Sequence, residues 1–309
     1  LKLCFPDLIP GTRARALRAA PHLRMAVAPG AYGPYETLAV SGPDDGVLHV
    51  ELSRPQKLNA MSQKFWDESR DLFLAIAGDT ATRVVVISAQ GRAFSAGLDI
   101  SEMGGGGGGG GGGKGRLDPG RVGVRIHRQV LRTQESFNAL EAVPQPVIVV
   151  GHGAVVGGGI DLMCACCIRY ASKDAWFTIK EVDVGLAADV GTLQRMPKIV
   201  GNEGAVRELA YTARRFSADE ALRVGFLTRV LETREEAMAA AMDLARNIAE
   251  KSPLAVLVTK RMITYNRDHS IQDGLDYVAT WNAFGMQAPD MGMAAKASFQ
   301  KKTATFAKL

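Results

Sequence analysis

The sequence predicts an α/β fold, with strand–helix units first and helices alone towards the C-terminus. Three observations predict it. Short apolar runs, Val84–Ser88 and Val147–Val150, have the length of strands covered on both faces. Each is followed by a turn rich in glycine, "GRAFSAGLD" (Gly91–Asp99) in one case and Gly157-Gly158-Gly159 in the other. Beyond Asp189 the apolar spacing becomes almost entirely helical, and such a pattern points to an α/β core with a helical C-terminal region.

Taken in order, Thr37–Val40 and Val47–Leu52 alternate like paired strands, and Pro43–Gly46 supplies the turn between them. Ser62–Ile76 carries Phe65, Leu72, Phe73 and Ile76 at helical spacing. After the Val84–Ser88 strand and its turn come ten consecutive glycines, Gly104–Gly113, which offer nothing to pack and maximal backbone entropy to lose. Such a tract reads as an insertion in a surface loop over 104–120, and it lacks the strand–helix setting of a phosphate cradle. Val122–Leu140 predicts a long helix ended by Pro144 and Pro146, Val147–Val150 a buried strand, and the glycine triplet a helix start. Ile168–Ala171 and Trp176–Ile179 read as short strands. Ser217-Ala218-Asp219-Glu220 is a capping box for a short helix ending at Gly225. Leu227–Leu231 is a last strand, followed by helices over Glu235–Glu250, Leu254–Tyr265 and from Ile271 onward.

Composition narrows the function classes. The chain has 309 residues, 47% hydrophobic and 22% charged, with a net charge of +5. These are ordinary globular values, and the length suffices for a large core. No Lys/Arg block interleaved with aromatics argues for nucleic acid, and no apolar run has membrane-spanning length. A mildly basic surface suits an anionic, phosphorylated small molecule. Cys164, Cys166 and Cys167 lack the paired spacing of a zinc site and read as reduced core thiols, so no metal is expected. Residues 1–35 carry Arg13, Arg15, Arg18 and Arg24 against one acid, Asp7, and read as a leader or extension. The ending Ala307-Lys308-Leu309 is a conservative variant of the S-K-L peroxisomal signal. A peroxisomal or related address is therefore expected, with a mitochondrial leader as the competitor.

The chemistry lies in the segment "IKEVDVGLAADVGTLQR" (Ile179–Arg195), which places Glu181, Asp183 and Asp189 among apolar residues and so reads as largely buried. Buried carboxylates are costly unless paired, hydrogen-bonded or protonated. Salt bridges to Lys180, Arg195 or Lys198 would account for Glu181 and Asp189 one at a time, and helix-start stabilisation would account for Asp161. Taken with the two glycine turns, the acids describe a site. Two backbone N–H groups aimed at one point would hold an enolate oxygen, and several carboxylates would move protons beside it. No nucleophilic Ser or Cys with a base is evident.

From about Tyr35 to Lys302 the chain resembles the enoyl-CoA hydratase/isomerase (crotonase) superfamily. The resemblance rests on "LSRPQKLNAM", "GRAFSAGLDI", "GHGAVVGGGIDLMCACCIRYAS" and "ADEALRVGFLTRV". It implies a spiral of ββα units over 36–215 and a helical trimerisation region over 216–309, giving a homotrimer or homohexamer. It also implies that the N–H groups of Ala96 and Gly158 form the oxyanion hole for an acyl-CoA thioester. Gly97 and Gly157 would then line the substrate. No cofactor is implied beyond the CoA that belongs to the substrate. Within the superfamily, "KEVDVGLAADVGTLQRMPKIVGN" and "RDHSIQDGLDYVATWN" are similar to the Δ3,5-Δ2,4-dienoyl-CoA isomerases of auxiliary fatty-acid β-oxidation. Asp161 and Glu181 fall on the hydratase's two catalytic carboxylates, and Asp189 stands where a hydratase typically has Gly. The implied activity is isomerisation by Glu181 and Asp189 with Asp161 in support. The alternatives are an enoyl-CoA hydratase, disfavoured by Asp189, and an inactive scaffold, disfavoured by the intact acids.

Overall fold

Residues 32–105 and 118–309 are described by the computed structural model. Residues 1–31 of the expected leader and residues 106–117 of the expected glycine-rich loop lie outside the described residues. β1 (Leu38–Asp44) and β2 (Val47–Leu52) form an antiparallel hairpin. Asp45 and Gly46 make its tight turn, both at positive φ. α1 (Gln63–Ala77) begins at Ser62, whose hydroxyl accepts the Phe65 N–H at 3.3 Å. Its apolar stripe, with Phe65, Leu72, Phe73 and Ile76, is buried as the spacing predicts.

β3 (Val84–Ala89) follows, then α2 (Pro119–Ala142), β4 (Val147–Gly151) and β5 (Ala154–Val156). β5 is a short strand that the glycine-rich sequence around it conceals. α3 (Gly158–Ala165), β6 (Ile168–Ser172) and β7 (Trp176–Thr178) lead to the acidic segment. α4 (Thr192–Val200), α5 (Glu203–Thr212), β8 (Phe216–Ser217), α6 (Ala218–Arg223) and β9 (Arg229–Leu231) come next. The helices α7 (Arg234–Ala249), α8 (Pro253–Tyr265), α9 (Ile271–Gly285) and α10 (Asp290–Phe299) complete the chain.

Among the described residues the strands form two sheets. The larger runs β1-β2-β3-β4-β6-β9 and is parallel except for the first pair; the smaller runs β5-β7-β8. Every residue of β3 and β4 is buried, which parallel strands achieve only when both faces are covered. One face carries Val85, Ile87, Val147 and Val149 into the main core with α1, α3 and Phe137. The other carries Val84, Val86 and Ile148 against α7, whose Ala237, Ala241, Ala245 and Ala249 form a small-residue stripe that admits the sheet closely. Each large side chain so buried contributes roughly 1.5–3 kcal/mol.

Three expectations need correction. The region over 216–309 is not helical throughout: β8 joins the smaller sheet, β9, within the strand expected at Leu227–Leu231, joins the larger, and α7 covers it. Ser217 caps α6 by accepting the Glu220 N–H at 3.2 Å, but Glu220 does not reach back. Its carboxylate is taken by Arg214 at 2.7 and 3.1 Å, a bidentate pair stronger than the return hydrogen bond. The segment after Glu181 is not buried as its composition suggests. Val182, Val184 and Leu186 are 42%, 57% and 46% exposed, because a single 3₁₀ turn (Glu181–Val184) ended by Gly185 leaves the sheets at this point.

Candidate active site

The two glycine turns meet. Ser95 bridges to Val155 and Leu98 to Met61 in isolated parallel pairings, so the turn after β3 lies alongside β5. Gly97 has φ 84°, and a Cβ there would stand 2.9 Å from the Val156 carbonyl oxygen, too close for any side chain. Gly157, φ 48° and ψ −113°, sends its N–H to the Thr178 carbonyl at 3.0 Å. That bond ties the end of β5 to the end of β7 and sets Glu181, three residues on, over the glycine. A Cβ on Gly157 would lie 2.9 Å from Glu181 Oε1. These two glycines, expected to line the substrate, are in any case required by the close approach of the turns and of the Glu181 carboxyl.

The expected donor Ala96 is corrected by the backbone pairing. Its N–H donates to the Leu58 carbonyl at 2.9 Å and is not free for a ligand. The Gly97 N–H is also occupied, by Ser95 Oγ at 3.1 Å. In the pairing of Leu98 with Met61, the Met61 N–H goes to the Gly97 carbonyl and the Asp99 N–H to the Met61 carbonyl. The Leu98 N–H therefore points away from Met61, and it has no acceptor among the described residues. Gly158 is the first residue of α3, and its N–H has no intrahelical acceptor. A Cβ on Gly158 would stand 2.7 Å from Met61 Sδ, so Met61 touches both turns. The two open donors flanking it are Leu98 and Gly158.

The three acids gather beside these donors. Asp161, in the first turn of α3, is 1% exposed. Its Oδ1 accepts the Thr192 N–H at 2.6 Å, so it caps the start of α4 rather than serving its own helix. Burial nevertheless pushes its carboxyl up to about 6, with the Asp189 charge adding to the rise. Glu181 Oε2 is buried without a hydrogen-bond partner among the described residues. Burial first, and then the charge of Asp161, push Glu181 up to about 7. Asp189 is more open to solvent, and the protein around it still raises its carboxyl above the ordinary value. Glu181 and Asp161 each feel the charge of Asp189, and Glu181 feels that of Asp161 as well.

Loop-fixing salt bridges do not account for these acids. Lys180 pairs with Asp183, Arg195 with Glu141 at 3.0 Å, and Lys198 donates to the Arg267 carbonyl at 2.9 Å. Asp183 is thus the structural acid of the segment. Cys164 and Cys166 are buried free thiols.

Residues 47–242 match the family described as Enoyl-CoA hydratase/isomerase. The chain belongs to the enoyl-CoA hydratase/isomerase family. Among curated members, the human mitochondrial Δ(3,5)-Δ(2,4)-dienoyl-CoA isomerase is 46% identical over 89% of this chain and 84% of its own length. The peroxisomal Δ(3,5)-Δ(2,4)-dienoyl-CoA isomerase of Arabidopsis thaliana is 39% identical over 89% of this chain and 98% of its own. The fold of the family is shared as well. An enoyl-CoA hydratase from Bacillus anthracis superposes with a TM-score of 0.78 at 26% identity, covering 88% of this chain and 99% of that one.

Sequence reasoning missed Leu98. Nothing local separates its N–H from that of Ala96; the distinction lies in Leu58, far away in the chain, accepting one of them.

Proposed function

We propose that the chain is a Δ3,5-Δ2,4-dienoyl-CoA isomerase, with Leu98 and Gly158 N–H groups as the oxyanion donors and Glu181 and Asp189 as the proton-transfer pair. The observation that carries the assignment to these residues is the cluster of three raised carboxyls, Asp161, Glu181 and Asp189, beside two open backbone donors. The substrate thioester oxygen accepts from both N–H groups, which stabilise the enolate more than the ketone-like ground state. One carboxylate of the pair removes a proton from C2. The charge spreads over C2, C4 and C6 through the 3,5-diene, and the other carboxyl, still protonated, delivers its proton to C6. The C2=C3 and C4=C5 double bonds result, and the pair ends with its protonation states exchanged. Two reacting carbons four bonds apart need two carboxyls at separate points, which is the chemical reason for Asp189 beyond the two acids of a hydratase. Asp161 supports them by raising Glu181 and capping α4. The chemistry needs no cofactor and no metal.

Among the described residues no helix is long and apolar enough to cross a membrane. The helices α9 and α10 expose Ile271, Leu275, Phe284, Met286, Met291 and Phe299, apolar area that further copies of the chain would cover. We therefore read the working form as a homotrimer or homohexamer, checked by the mass in solution from light scattering. Its place is an organelle of fatty-acid oxidation, a reading supported by relatives named both peroxisomal and mitochondrial.

The test is spectroscopic. With a 3,5-dienoyl-CoA the ultraviolet band of the conjugated 2,4-dienoyl thioester should rise quickly, while a trans-2-enoyl-CoA in a parallel cuvette changes little. Asp189→Asn and Glu181→Gln should each lose isomerisation while binding acyl-CoA nearly as before. Hydration of the second substrate with no reaction of the first would replace the proposal with the hydratase reading.

A further inference from the structure

The Asp189 carboxyl accepts no hydrogen bond from another described residue, so its direction depends on how its backbone is held. That backbone is gripped at two successive carbonyls. Gln134 Nε2 donates to the Asp189 carbonyl at 2.7 Å. Arg195 Nη1 donates to the Val190 carbonyl at 3.3 Å. Arg195 is itself anchored to α2, through Nε to Glu141 Oε2 at 3.0 Å and Nη2 to Asn138 Oδ1 at 2.8 Å. The second oxygen of Glu141 accepts from Arg267, which lies beyond α8. Gln134, Asn138 and Glu141 follow helical spacing, so one face of α2 supplies the whole ladder.

The turn is built to receive this clamp. Gly191 has φ 137°, a conformation only glycine adopts readily, and the Arg195 guanidinium fills the place where a side chain at 191 would begin. Glu141 and Arg195 are mostly enclosed, with side chains 22% and 11% exposed, so their pairing is little screened. Three separate nitrogens of the planar guanidinium each meet a different acceptor, a spread that the single nitrogen of a lysine does not have.

We infer that Gln134 and Arg195, braced by Glu141, are positioning residues that aim Asp189 at its reacting carbon. The inference rests on the proposed isomerase reading. A bond to the backbone of residue 189 or 190 touches no substrate, so its loss acts through the groups that this turn carries, Asp189 first among them. Misplacement of a reacting group by about an ångström costs up to about a hundredfold.

The experiment compares wild type, Gln134→Leu, Arg195→Lys, Asp189→Asn and Glu181→Gln with a 3,5-dienoyl-CoA in D₂O. It follows two quantities, product formation and deuterium uptake into recovered substrate, whose ratio reports which proton transfer is impaired. Gln134→Leu and Arg195→Lys should lower kcat on the order of tenfold, leave KM within about twofold, and shift the ratio in the direction of Asp189→Asn. Gln134 lies at the helix surface, so its variant keeps the test open should Arg195→Lys fold poorly. A kcat within about twofold of wild type in both variants would overturn the inference. So would a lower kcat with an unchanged ratio, which is the mark of a merely structural contact, or a ratio moving with Glu181→Gln. A wild type inert towards the dienoyl thioester is distinguishable from all of these: it overturns the isomerase reading, and the inference with it.

Discussion

Replacing Glu181 with Gln should abolish turnover and at the same time make the protein more stable at neutral and alkaline pH. The carboxyl sits over Gly157 with Oε2 buried and without a partner among the described residues, and its folded-state value is raised from 4.5 to about 7. A raised acid binds its proton more tightly when folded than when unfolded. Stability is therefore lost as pH rises from the unfolded value through the folded one, and the cost is complete above it. The gap between 4.5 and about 7, at about 1.4 kcal/mol per pH unit, amounts to a cost of about 3 kcal/mol at most near pH 8. Gln keeps the shape and drops the charge, so the variant should gain up to that amount near pH 8 and little below about pH 4.5. For a chain of this size about 3 kcal/mol corresponds to a rise of up to roughly 5 °C in the unfolding midpoint. The assay is thermal unfolding of both proteins across pH at one fixed protomer concentration, since any association would otherwise shift the midpoint. A variant equal to or less stable than wild type at pH 8 would refute the reasoning, because it would mean that Glu181 is held by partners as a structural acid.

The rate should depend on pH in a bell-shaped way, since the pair needs one proton shared between two carboxyls; kcat falls above the value of about 7 for Glu181 and falls again when the cluster is fully protonated, and a flat profile from about pH 5 to about pH 9 would contradict this. Asp161→Asn keeps an acceptor for the Thr192 N–H but removes the charge that helps raise Glu181, so the alkaline limb should move to lower pH; an unmoved limb would show that burial alone sets it. Gly157→Ala should lower kcat by more than about tenfold and destabilise the fold by about 1–2 kcal/mol, because φ is positive and the new Cβ meets Glu181 Oε1; kinetics and unfolding of the purified variant check both. Ser62→Ala should cost about 1 kcal/mol in unfolding free energy with kcat unchanged, since the cap serves only α1.

Much of the fold is legible in the sequence because its periodicity is local. The apolar runs of β3 and β4, the stripe of α1 and the alanine spacing of α7 each state which faces are covered. Boundaries shifted where a local cap or another side chain intervened. Asp118 capped α2 and Pro119 opened it, three residues before the first apolar position. Arg214 drew Glu220 away from its cap. The exposed stretch Val182–Ala187 was misjudged because an apolar composition reports what water disfavours, whereas exposure is set by where the chain leaves the sheets.

By itself the sequence determined the element types, the family, and the set of acids from which the site is drawn, since residue chemistry and short-range spacing are written in it. Only the tertiary structure decided which members of that set are free to react. Ala96 lost its N–H to Leu58, and Leu98 kept its own; Asp183 was paired with Lys180, and the Oε2 of Glu181 was left buried without a partner among the described residues. The physical reason is the same in each case. A donor or a charge becomes available only when no other group satisfies it, and the satisfying group is brought in by folding, often from a distant part of the chain.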